Sequence, residues 1–133
     1  MAACFGLPVD IIGPAGFDLS DRALRRAGLD YLKHAVINTH QSWRSFELWR
    51  QETGKRLVLL STHANCTHAD FCFDANDILL MGRETSGVPD KVRETANACV
   101  KIPIRRDMRS LNLAMATGIA ISEALRQTNG FPV

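Results

Sequence analysis

Three short segments of this sequence hold residue types suited to closing around a small polar ligand. The first is Leu60-Ser61-Thr62. The second is Gly82-Arg83-Glu84-Thr85-Ser86-Gly87-Val88-Pro89. The third is Ile102-Pro103-Ile104, followed closely by Met108-Arg109-Ser110-Leu111-Asn112-Leu113. Glycines let a backbone approach a ligand closely or take a positive φ. The free main-chain N–H and C=O groups of such loops suit an adenine and a ribose. The second segment is not a nucleotide-phosphate loop: Gly82 and Gly87 fit G-x-x-x-x-G, but Val88-Pro89 stands where Lys-Ser/Thr is needed. No G-x-G-x-x-G occurs. By itself, the glycine segment also reads as an ordinary turn.

Other groupings invite chemistry and carry less. His63, Cys66, His68, Asp70 and Cys72 are close together, yet their spacing does not match the common Cys-x-x-Cys or His-x₃₋₅-His zinc frames. No metal is expected there: a polar loop with incidental thiols is the reading, and a small zinc-binding module is the alternative. Trp43, Phe46 and Trp49 can stack on bases, but their helical spacing favours core packing. Arg22, Arg25 and Arg26 form one basic cluster, and Arg105, Arg106 and Arg109 another. Each reads as a phosphate-facing patch or as solvated surface.

The three ligand-type segments all follow apolar runs. Val9–Ile12 and His34–Ile37 read as strands, and so do Leu57–Leu60, Ile78–Met81 and Cys99–Ile104. Pro103 cannot donate to a ladder, so the last strand must lie at an edge or end near there. Helices are expected from a Ser20 cap to Ala27 with Gly28 as stop, from Ser42 to Gly54, and briefly near Pro89. The final helix, from a Ser110 cap through Leu111 to Arg126, is apolar around most of its circumference. Such a helix needs burial on more than one side, here the sheet and a second subunit. Alternating strands and helices imply α/β with a mostly parallel sheet flanked by helices. In open α/β sheets, ligands sit beyond the carboxyl ends of strands, which is where the three segments fall.

With 133 residues, 46% hydrophobic and 23% charged, the chain makes one domain, residues 1–133, and is not wholly disordered. A net charge of +2 does not by itself announce a nucleic-acid binder. No apolar run approaches a bilayer span, and no leader is recognisable, so a cytoplasmic protein with no membrane partner is expected. Cys4, Cys66, Cys72 and Cys99 are then thiols. Ala2-Ala3-Cys4-Phe5 before Gly6-Leu7-Pro8 reads as the last turn of a helix with a glycine stop. So short a helix would not hold at a free end. The expectation is that a first strand and most of a first helix are absent from this chain.

The combination G-R-E-T-S-G-V-P, about twenty residues, then I-P-I-x-x-x-M-R-S-L-N-L-A closely resembles the SPOUT superfamily of RNA methyltransferases. Gly13-Pro14-Ala15-Gly16-Phe17 and Leu24 through Tyr31 resemble the subfamily that methylates the ribose of the tRNA wobble nucleotide, cytidine or uridine. The resemblance covers essentially the whole chain. It implies a C-terminal trefoil knot, a homodimer, a tRNA substrate, and S-adenosylmethionine as donor with S-adenosylhomocysteine as product. It implies cofactor contacts at Leu60, Gly82, Ile102 and Ser110, with Glu84, Leu111 and Asn112 shaping the pocket. A bulky residue at Gly82 should then abolish cofactor binding while the protein stays folded.

The two catalytic candidates are Glu84, whose alternative is tying down its loop, and Arg109, which can hold a phosphate or be a surface charge. Asn112 braces loops through hydrogen bonds. No general base stands out. The family's first motif, Asn-x-Gly-Asn-x-x-Arg, carries an Arg proposed to aid catalysis, and the match here resumes only at Ala2. A non-catalytic RNA-binding or dimerisation protein of the same fold is therefore the alternative.

Overall fold

The computed structural model describes residues 1–14 and 29–133. The helix expected from Ser20 to Ala27, and Arg22, Arg25 and Arg26 within it, lie outside the described residues. The chain divides into two units, Met1–Gly54 with Pro132–Val133, and Lys55–Phe131.

The first unit opens with a 3₁₀ turn, Ala2–Phe5, ended by Gly6 at φ 67°. Gly6 and Leu7 return their N–H groups to Ala3 and Ala2, so the glycine stop is present. Strand β1 (Val9–Ile12) pairs in parallel with β2 (Ile37–His40), Val9 opposite Ile37 and Ile12 opposite His40. The strand expected at His34–Ile37 is thus displaced. Leu29–His34 forms a 3₁₀ helix instead, and pairing begins where the Val9 N–H meets the Val36 carbonyl at 2.8 Å. The ladder then runs through polar Asn38, Thr39 and His40, which an apolar-run criterion does not detect.

Helix α1 (Trp43–Thr53) is capped as its sequence implies. The Ser42 side chain accepts from the Ser45 N–H, and Gly54 ends the helix at φ 68°. Phe46 is 1% exposed, with Trp43 and Trp49 ring centroids 5.2 and 5.7 Å away. His40 packs edge-on against Phe46 at 5.3 Å, and its Nε2 lies 2.8 Å from Asp10 Oδ1. These aromatics form a packed cluster rather than a free stacking platform.

The second unit holds β3 (Arg56–Leu60), β4 (Cys66–Thr67), β5 (Asp77–Met81) and β6 (Ala98–Lys101), in the order β4-β6-β3-β5 with every neighbouring pair parallel. Helices α2 (Asp90–Thr95) and α3 (Leu113–Thr128) complete it. The two-residue β4 leaves too short a signature to read from sequence. β6 begins and ends earlier than the expected Cys99–Ile104, stopping before the donor-less Pro103. The architecture is α/β, with parallel sheets flanked by helices.

Central β3 explains the apolar run. Leu57, Val58 and Leu59 are almost completely buried, as a strand covered on both faces should be. Val58 joins Phe73 and Val100 in a core against which Leu79, Ala98 and Ala124 pack. Burying each such aliphatic side chain contributes about 1.5–3 kcal/mol. Polar groups set the register. Arg56 donates twice to the Asp77 carboxylate, at 2.6 and 2.7 Å, locking the starts of β3 and β5 together. The Leu57 N–H donates to Asn97 Oδ1 at 2.7 Å, while the Asn97 N–H returns to the Leu57 carbonyl at 2.8 Å.

Helix α3 is tied to the loop before β5 by Gln127, which accepts from the Phe73 N–H and donates to the Phe71 carbonyl. Its cap is Asn112, not Ser110: Asn112 Oδ1 accepts from the Ala114 and Met115 N–H groups, and the helix begins at Leu113. Asparagine satisfies the same orphan donors that serine would, so composition alone did not discriminate between them. Among the described residues no helix is long and apolar enough to cross a membrane.

Candidate functional site

The register of the second sheet brings the three loop segments to one edge. Leu60, the last residue of β3, pairs with Met81 at the end of β5 on one side and with Val100 in β6 on the other. The strands are parallel, so the chains leaving them emerge at the same end. The Ser61 N–H continues the pattern with a 2.9 Å bond to the Val100 carbonyl.

A hollow of about 530 Å³ lies there, within the roughly 300–1,000 Å³ usual for small-molecule sites. Its wall includes Leu60, Gly82, Glu84 and Ile102. Ser110, Leu111 and Asn112 line it from the segment leading into α3. All seven residues expected at a cofactor site therefore share one cavity.

The glycine segment folds as a closed turn. Arg83 and Gly87 exchange two main-chain hydrogen bonds, N–H of each to the carbonyl of the other, at 3.1 and 2.9 Å. Gly87 holds φ 65°, and a Cβ there would meet nothing within 4 Å. Gly82 is constrained differently, because a Cβ on it would strike the Gly87 backbone. Glu84, Thr85 and Ser86 of the turn are exposed and line the hollow. Among the described residues, the Glu84 carboxylate makes no hydrogen bond that would tie its loop.

The remaining candidates separate. Arg109 is exposed and does not line the hollow. Arg105 pairs with Asp107 at the surface. Asn112 lines the hollow while its side-chain oxygen caps the helix that follows it, bonding Ala114 and Met115 rather than a neighbouring loop. His63 lines the hollow. Cys66 donates its thiol to the Thr67 carbonyl, and Asp70 accepts from the Thr67 hydroxyl. Among the described residues, no three His, Cys, Asp or Glu side chains converge as metal ligands.

The lining also takes in residues outside the expected segments, among them Leu59, His63, Ala116 and, with a charge, Arg93 of α2. Its signal was available, since a helix starting beside Pro89 places position 93 one turn in. Burial pushes the Cys99 thiol above its ordinary range, and the Arg93 charge opposes the shift.

Cavity, polarity and loops together fit a nucleoside-bearing ligand. Apolar Met81, Val88 and Ile102 line the hollow beside polar Ser110 and Glu84.

Comparison with known proteins agrees with this geometry. The chain matches the SpoU rRNA Methylase family over residues 1–122. It is 50% identical over 129 residues to a tRNA (cytidine(34)-2'-O)-methyltransferase of Ancylobacter novellus, covering 97% of this chain and 82% of that protein. A solved structure described as concerning 2-OH methylation of C/U34 on tRNA superposes with TM-score 0.87 at 40% identity, over 97% of this chain and 84% of that one. The SpoU methyltransferase AviRb of Streptomyces viridochromogenes, solved in complex with the cofactor AdoMet, matches at TM-score 0.83 and 29% identity, over 95% of this chain and 52% of that one.

Proposed function

Because the chain belongs to the SpoU rRNA methylase family, we propose that it is an S-adenosylmethionine-dependent tRNA ribose 2′-O-methyltransferase acting on the wobble nucleotide, cytidine or uridine. The observation that carries this is the convergence of the loops after β3, β5 and β6 on one hollow. A relative named tRNA (cytidine(34)-2'-O)-methyltransferase stands at 50% identity over 97% of this chain.

S-Adenosylmethionine supplies a methyl group on a sulfonium centre, already activated toward attack. The protein's task is therefore alignment, which is worth roughly 7–11 kcal/mol in favourable cases. In this reading Leu60, Gly82, Ile102 and Ser110 hold the nucleoside, and Leu111 shapes the pocket. Glu84, whose exposed carboxylate is uncommitted among the described residues, would be available to a positive group of the donor. Arg109, exposed just outside the hollow, holds an RNA phosphate.

The knotted threading belongs to the same proposal, and so does a single methyltransferase domain over residues 1–133. A homodimer is supported by the outer face of α3, where Met115 is 63% and Ile119 37% exposed. Work on tRNA also carries the reading of a cytoplasmic protein.

The test is transfer of a labelled methyl group to unmodified tRNA, with the site mapped by nuclease digestion. Label on the wobble ribose is expected. Binding of donor and tRNA without transfer would replace this reading with a binding-only protein.

A further inference from the structure

The hollow's charges are unequal. Its lining carries two guanidinium groups, Arg83 and Arg93, and one carboxylate, Glu84. The proposed donor carries two positive groups, a sulfonium and an ammonium, and one negative group, a carboxylate. The carboxylate of such a ligand is best held where it faces a guanidinium that has no carboxylate partner of its own. Arg93 meets that requirement. It is exposed on α2, lines the hollow, and among the described residues its guanidinium has no hydrogen bond or ion pair to a carboxylate. Its backbone is held in place: the Arg93 N–H bonds to the Pro89 carbonyl, and its carbonyl accepts from Ala96. The side chain therefore projects from a fixed turn of helix immediately after the glycine turn.

We propose that Arg93 is a specificity-determining residue that recognises the carboxylate of the amino-acid end of the methyl donor. This rests on the donor reading of the hollow and deepens it. Guanidinium and carboxylate match as planar, two-pronged partners. The contact would discriminate the donor and its product from nucleosides that share the adenosine but lack the amino acid. It would act on binding and orientation, since the carboxylate is remote from the transferred methyl.

The test is calorimetric titration of wild type, Arg93→Ala and Arg93→Lys with S-adenosylhomocysteine and with 5′-methylthioadenosine, which lacks the amino-acid end. The exposure of Arg93 leaves folding intact in either variant. For Arg93→Ala, affinity for S-adenosylhomocysteine is expected to fall about tenfold, with Arg93→Lys intermediate. Affinity for 5′-methylthioadenosine should stay within about twofold. An equal change for both ligands, or for neither, overturns the proposal. Weakened tRNA binding with unchanged S-adenosylhomocysteine affinity also overturns it, and assigns Arg93 to the RNA. If wild type binds neither ligand, the donor reading itself fails, and that result is distinguishable from every pattern above.

Discussion

A β-carbon on Gly82 would stand 2.5 Å from the carbonyl carbon of Gly87. The absence of a side chain at Gly82 is thus required by the turn's own backbone. A clash with main chain is not relieved by a rotamer change.

Gly82→Ala should therefore open the turn at Arg83 and Gly87 as well as harm the site. The expected outcome is a loss of about 1–3 kcal/mol in denaturant stability together with at least tenfold weaker cofactor binding. The clash of a Gly82 side chain with the Gly87 backbone adds a stability cost to the expected loss of binding, in a protein that stays folded. Gly87→Ala should cost about 1–2 kcal/mol through its left-handed backbone alone, and Gly87→Asn less. Urea unfolding with parallel cofactor titration checks both.

The two candidate caps of α3 are separable. Asn112→Ala removes the acceptor for the Ala114 and Met115 N–H groups and should cost about 1 kcal/mol. Ser110→Ala caps nothing and should change stability by less than about 0.5 kcal/mol, while weakening cofactor binding. Equal destabilisation by both would refute the cap assignment.

Asn97→Ala strands the N–H of fully buried Leu57. An unsatisfied buried donor costs about 1–3 kcal/mol. Thermal unfolding should show the loss in the absence and presence of cofactor alike.

Acid should loosen α3 through Glu123. Hydrogen bonds from Arg126 and Gln127 lower its carboxyl from 4.5 to about 2. A depressed folded value means the unfolded chain binds more protons in between. Its stabilisation is present above about pH 4.5 and is lost as pH falls toward about 2. Glu123→Gln should flatten the stability profile across that window, measured by urea denaturation at a series of pH values. An unchanged slope would count against the assignment.

Charge on the outer face of α3 tests the homodimer. Met115→Glu leaves core residues Ala120 and Leu125 untouched and should convert a dimer to monomers in sedimentation velocity. A wild-type protein that sediments as a monomer would remove the dimer from the proposed function.

Much of the candidate site is legible in the sequence, because many residues that line it belong to turns and strand ends set by local backbone. Gly82 and Gly87 mark a turn, and Leu57–Leu60 marks a strand buried on both faces. The start and stop of α1 were readable for the same reason: Ser42 and Gly54 each satisfy groups within one helical turn. The β2 ladder escaped because its residues are polar, and β4 because two residues carry no periodicity.

The sequence by itself determined which segments turn, which run straight, and what polar groups the loops after the strands carry, since those choices depend on neighbours a few residues away. Tertiary structure alone decided that Leu60 stands between Met81 and Val100, that Asn112 rather than Ser110 caps α3, and that Arg93 joins the hollow while Arg109 stays outside it. Those outcomes depend on strand register and on where the chain returns after long separations. Pairing across such distances is set by burial and by hydrogen-bond satisfaction over the whole sheet, which no short stretch of sequence records.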